Sequence, residues 1–117
     1  MDFKAKYVTK EDFLQIKGLN LDIELGVSDD NANESSRYIA NVERKIINYL
    51  IVNYHFVETD INEKNLDRFK LAVIEQIDYE LINGVNAEIS DTTKIYLRAS
   101  GLMNIMTSRV PKNWRWY

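Results

Sequence analysis

Two stretches of this chain repeat apolar side chains at three- and four-residue steps with no Pro or Gly between them, and those stripes constrain the fold most. Ile39, Val42, Ile46, Leu50 and Tyr54 recur on one face, widened by Ile47 and Ile51; Leu66, Phe69, Val73, Ile74, Ile77 and Leu81 form the second. Spacing of that kind lines one side of a helix with 3.6 residues per turn, whereas a strand would scatter the same residues over both faces. With one Pro and four Gly in 117 residues, little else interrupts the chain. The expected fold class is all-α, a small bundle of about four helices with an extended arm before the last helix and an extended C-terminal tail.

Local signals set the boundaries. Thr9-Lys10-Glu11-Asp12 approximates a capping box and opens a helix over 9–17, with Phe13, Ile16 and Leu14 inward and Gly18 as its stop. Leu19 to Gly26 alternates like a strand, but no partner strand is in view, and the polar run from Ser28 to Glu34 follows, so 18–30 reads as an ordered loop. The first long stripe predicts a helix from about Asn31 to Tyr54. The second follows the cap-like Asp60-Ile61-Asn62-Glu63 and ends at Asn83-Gly84. Two such helices in succession imply an antiparallel hairpin. Thr-rich alternation over 85–97 suggests an extended arm, with Ser90 or Asp91 as a possible helix cap, and a last helix is expected from about Ser100 to Ser108. Residues 1–108 then make one helical domain and 109–117 a tail.

Composition narrows the chemistry. No Cys and a single His exclude disulfides, thiolate nucleophiles and Cys/His zinc sites. Asp29, Asn31 and Asn33 fall at the first, third and fifth positions of an EF-hand loop. The sixth is Glu34 rather than Gly and the twelfth Ala40 rather than Glu, so a solvated loop and helix cap is the better reading. His55 sits at the end of a helix, where a capping or structural ring is expected. Ser35, Ser36, Ser90, Ser100 and Ser108 lie in no nucleophile-elbow pattern, and Asp78 and Glu80, two apart on a helix, point to different faces. The glycines at 18, 26, 84 and 101 are too scattered to cradle phosphate. Neither catalysis nor a cofactor is expected. No stretch of about 18 apolar residues predicts a membrane span and no apolar signal core follows Met1, so the expected location is the cytosol.

The charge is unevenly distributed. Residues 1–93 carry ten Lys/Arg and eighteen Asp/Glu, whereas 94–117 carry Lys94, Arg98, Arg109, Lys112 and Arg115 and no acid. Trp114, Trp116 and Tyr117 stand beside Arg115, a set of residue types enriched where proteins dock. Such a tail can fold back on its own helices, dock on a partner, or stack on nucleic acid.

Tyr7-Val8-Thr9-Lys10-Glu11-Asp12-Phe13-Leu14, the long amphipathic second helix, the third ending Val73-Ile74-Glu75-Gln76-Ile77-Asp78-Tyr79-Glu80-Leu81-Ile82-Asn83-Gly84, a polar arm, a last helix and a basic aromatic finish together resemble the small head–tail connector, or adaptor, proteins of tailed bacteriophages. The resemblance covers nearly the whole chain. It departs in a long 18–30 loop and in an arm without Gly/Ser richness. It implies a structural virion protein, in the host cytoplasm during assembly, that forms a homo-oligomeric ring, dodecameric when assembled, under the portal protein and above a tail, stopper or collar protein. The ring extends the DNA channel without sequence-specific binding. Carried to this sequence, portal docking falls on Arg109, Lys112, Trp114, Arg115, Trp116 and Tyr117. Subunit–subunit contact falls on the arm, through Glu88, Ile89, Lys94, Ile95, Tyr96 and Leu97. The rival readings are a small helical nucleic-acid-binding protein that uses the same basic aromatic end, and a bacterial helical adaptor of no viral origin.

Overall fold

The computed structural model describes residues 4–27 and 33–104. Five α-helices follow in order: α1 (Lys10–Lys17), α2 (Leu21–Leu25), α3 (Glu34–Tyr54), α4 (Leu66–Asn83) and α5 (Asp91–Ser100), with 3-10 turns at Glu58–Asp60 and Leu102–Asn104 and no strand among the described residues. The fold is a small all-α bundle.

α1 begins as its capping box requires: the Asp12 amide donates to Thr9 Oγ1 at 3.1 Å and the Thr9 amide to Asp12 Oδ2 at 3.0 Å. Gly18, at φ 71°, ends it. Of the three residues expected inward only Phe13 is buried; Leu14 and Ile16 are about half exposed, at 48% and 47%. A two-turn helix has one buried stripe, and Phe13 fills it. Lys17 to Glu75 at 2.7 Å and Asp12 to Lys70 at 3.8 Å tie α1 to α4.

The alternating stretch expected as a loop contains a helix. Asn20 Oδ1 accepts from the Ile23 amide at 3.3 Å, and Gly26, at φ 69°, closes the end, with the Val27 amide reaching back to the Asp22 carbonyl at 2.8 Å. Over one turn, alternation and helical spacing coincide: Leu21 and Leu25 are four apart, and both turn toward the core.

α3 and α4 follow their stripes. Ile39, Val42, Ile46, Ile47 and Leu50 of α3 and Phe69, Val73, Ile74 and Ile77 of α4 are fully buried, while Ile51, the expected margin of the first stripe, is half exposed. Each aliphatic or aromatic side chain removed from water in this way stabilises the fold by roughly 1.5–3 kcal/mol. Asn31, the expected start of α3, lies outside the described residues. His55, at φ 53°, takes the left-handed conformation that ends α3, the capping position expected for it. Tyr38 and Lys45 of α3 both reach Glu80 near the end of α4, the pairing of an antiparallel hairpin.

The expected extended arm is helical over most of its length. Ser90 Oγ accepts the Thr93 amide at 3.0 Å and caps α5, whose Thr93 and Leu97 are buried. α5 packs more extensively on α4 than any other pair of elements. Only 84–90 remain as a non-helical connection. The helix expected over 100–108 is replaced at its start: Ser100 ends α5, Gly101 turns the chain at φ 85°, and Leu102–Asn104 forms a single 3-10 turn. Residues 105–108 and the tail lie outside the described residues.

Candidate docking surfaces

The segment expected to contact a neighbouring subunit divides into an inner and an outer set. Ile89 and Leu97 belong to the core, at 9% and 0% exposure, so neither is available to a second copy. Glu88 and Ile95 are exposed, and Lys94 and Tyr96 half-buried. The division follows from the helix: with Thr93 and Leu97 inward at a four-residue step, Ile95 is left on the opposite side.

A buried polar network holds this segment on the body. Gln76, fully buried on α4, accepts on Oε1 from the Ser90 amide and the Thr93 hydroxyl, both at 2.9 Å. Its Nε2 donates to the Glu88 carbonyl at 2.9 Å and to Glu80 at 3.1 Å. Glu80, itself buried, also accepts from Tyr38 at 3.0 Å and Lys45 at 2.6 Å, and the same Lys45 ammonium donates to the Val85 and Ala87 carbonyls. The connection between α4 and α5 is thus stitched to α3 and α4 through the Val85, Ala87 and Glu88 carbonyls and the Ser90 amide. Burial beside the Glu80 carboxylate pushes the Tyr38 phenol up. On the outside, the Tyr79 hydroxyl donates to the Glu88 carboxylate at 2.5 Å and holds that carboxyl below its ordinary range.

Sequence reasoning missed this network. Its signal was nonetheless present, as single polar residues inside apolar runs: Gln76 between Ile74 and Ile77, and Glu43 between Val42 and Ile46. Glu43 performs a similar task at the other end, where its buried carboxylate accepts the backbone amides of Lys6, Tyr7 and Val8, each at 2.8 Å, and straps the N-terminal segment onto α3.

Outward from the network, α3 and α5 share an aromatic and cationic cluster. The Lys94 ammonium lies 5.9 Å from the centre of the Tyr49 ring, and the Tyr49 and Tyr54 rings are 6.0 Å apart. Burial raises the Tyr54 phenol, its hydrogen bond with Tyr49 adds to the rise, and the positive charges of Arg98 and Lys94 oppose it. Two of the five cations of the basic C-terminal stretch, Lys94 and Arg98, therefore stand on the body itself. Arg109, Lys112, Trp114, Arg115, Trp116 and Tyr117 lie outside the described residues.

The paired acids Asp78 and Glu80 take different partners, Lys17 and Lys45, as their spacing on α4 requires. A cavity of about 250 Å³ beside α3 is lined in part by Lys6, Tyr7, Arg44 and Glu58. There Glu58 accepts from Tyr7 at 2.6 Å and pairs with Lys6 at 2.9 Å and Arg44 at 3.6 Å, so the charges answer one another. No helix among the described residues is long and apolar enough to cross a membrane. At the level of class, the molecule is a small all-α bundle whose last described helix, α5, carries Asp91, Lys94 and Arg98 on its outer side. Comparison with family models, with curated proteins and with solved structures finds no match.

Proposed function

We propose that this protein is a non-catalytic structural subunit, a head–tail connector of a tailed bacteriophage that assembles as a ring beneath the portal and docks on it through the segment from Arg109 to Tyr117. The observation that carries the reading is the way charge and aromatic groups are distributed. Residues 94–117 hold five cations and no acid. The first two sit on α5 of a firmly packed body, and Leu102 and Met103, buried at 1% and 8%, anchor the chain ahead of the aromatic segment. A rigid body that ends in a basic aromatic segment suits docking, because Trp, Tyr and Arg bury large area per residue and find polar partners at an interface rim.

The test is size-exclusion co-elution with a tailed-phage portal protein from the genome that encodes this chain, at two salt concentrations, using the full chain and a truncation ending at Ser108. Co-elution of the full chain and its loss on truncation support the reading. The aromatic and cationic cluster of Tyr49, Tyr54, Lys94 and Arg98 favours nucleic acid as the second reading. No portal binding by either form, together with DNA retention that weakens steeply with salt, would replace the first reading with the second.

A further inference from the structure

Resting on the ring reading, we infer that two faces of one copy are complementary and meet between neighbours: the corner of α1 and α2 on one subunit receives the outer edge of α5 from the next. The corner is apolar and acidic. Leu14 is 48% and Ile23 72% exposed there. Beside them is a crease of about 110 Å³ lined by Lys10, Glu11, Leu14, Asn20, Leu21 and Asp22. Its one cation is already neutralised, since Lys10 pairs with Asp22 at 2.8 Å, and Asp22 is further held by the Ser35 hydroxyl. Glu11, which lines it, is exposed, and Glu24 is exposed on α2. Residues 10–34 carry seven acids against two lysines.

The outer edge of α5 is net cationic, with exposed Asp91 one turn before Lys94 and Arg98. Ile95 is 57% exposed and is flanked on the helix by Lys94 and Arg98, four residues apart and hence on one side. A crease with aliphatic walls and an acidic margin matches an aliphatic side chain between two cations: Ile95 fills the crease, and Lys94 and Arg98 meet Glu11 and Glu24. The crease cannot pair with itself, because acid would meet acid, and the α5 edge pairs with itself only if Asp91 meets Arg98 of the second copy, which a self-disulfide at Ile95→Cys would report. The contact is therefore head-to-tail. Every copy joined this way keeps one face of each kind free, so the contact propagates and closes into a ring when the rotation allows.

The chain contains no Cys, so engineered thiols report this contact without background. Leu14→Cys and Ile95→Cys are made as two separate proteins, each at an exposed position, and each is checked for native helicity. They are oxidised with diamide alone and as an equimolar mixture, with and without the portal. The expected result is a mixed disulfide at least about tenfold more abundant than either self-disulfide, in the free mixture or on the portal. Adding Glu11→Lys and Glu24→Lys to the first protein should lower that yield several-fold, and Lys94→Glu with Arg98→Glu in the second should restore it. Self-disulfides as abundant as the mixed one, or no mixed disulfide in either setting, would overturn the assignment of these faces. Co-elution with the portal judges the connector reading separately: co-elution without the mixed disulfide removes this contact and leaves the reading, and the mixed disulfide without co-elution does the reverse.

Discussion

At the scale of single residues, the buried carboxylates contribute more to the fold than their number suggests. Glu43 satisfies three consecutive backbone amides, and an unsatisfied buried donor costs about 1–3 kcal/mol. Glu43→Ala should therefore lower unfolding stability by about 3 kcal/mol in urea titration and expose the amides of residues 6–8 to hydrogen exchange ahead of the global transition. The tyrosines make a pH prediction. The Tyr38 phenol is raised by burial and by Glu80, so its contribution is complete below the ordinary tyrosine value of about 10 and is lost as pH rises toward the shifted one. Glu58 has the opposite sign: its hydrogen bond from Tyr7, then Lys6, holds it low, so its contribution is complete above the ordinary value of about 4.3 and is lost as pH falls through the lowered one. Melting temperature against pH should fall on both sides, and Tyr38→Phe should flatten the alkaline limb while leaving the acid limb in place.

Among elements, α1, α3 and α4 were legible and α2 and α5 were not, for reasons that differ. The long helices announced themselves because stripes such as Ile39 to Leu50 persist over several turns, long enough to separate a period of 3.6 from one of two. Leu21 to Leu25 is a single turn, over which the two periods share the same residues, and only the pair Asn20 and Gly26 marked it as capped at both ends. For α5 the local signals disagreed, Ser90 offering the cap it makes and the threonines pointing to an extended arm. Thr92 and Thr93 favour extended backbone, yet Thr93 is held inside by Gln76 and capped by Ser90, and tertiary contact overrides propensity. The inward half of the proposed contact segment was invisible for the same reason, because a helix over 91–97 sends Leu97 in and leaves Ile95 out. The two residues give the corresponding stability test. Leu97→Ala should cost about 2–5 kcal/mol and Ile95→Ser less than about 0.5 kcal/mol in denaturant unfolding, whereas an extended arm would make the two alike.

At the scale of the whole molecule, the question is whether the basic aromatic end belongs to the body or to a partner, and stability separates the two. Removing residues 109–117 takes away three cations and no acid, so the net charge moves from −3 to −6. If Trp114, Trp116 and Tyr117 packed on the bundle, their loss would uncover apolar surface and cost several kcal/mol, because aromatic side chains bury large areas. Leu102 and Met103 are the last described residues of the core. Docking on a partner therefore predicts that the chain ending at Ser108 melts within about 2 °C of the full chain, a shift that corresponds to well under 1 kcal/mol in a domain of this size. The same truncation should elute later from an anion exchanger, in keeping with its added negative charge, and lose portal co-elution. A fall in melting temperature of ten degrees or so would instead assign the aromatic end to the body's own core, and the docking role would pass to the Lys94, Ile95 and Arg98 edge of α5.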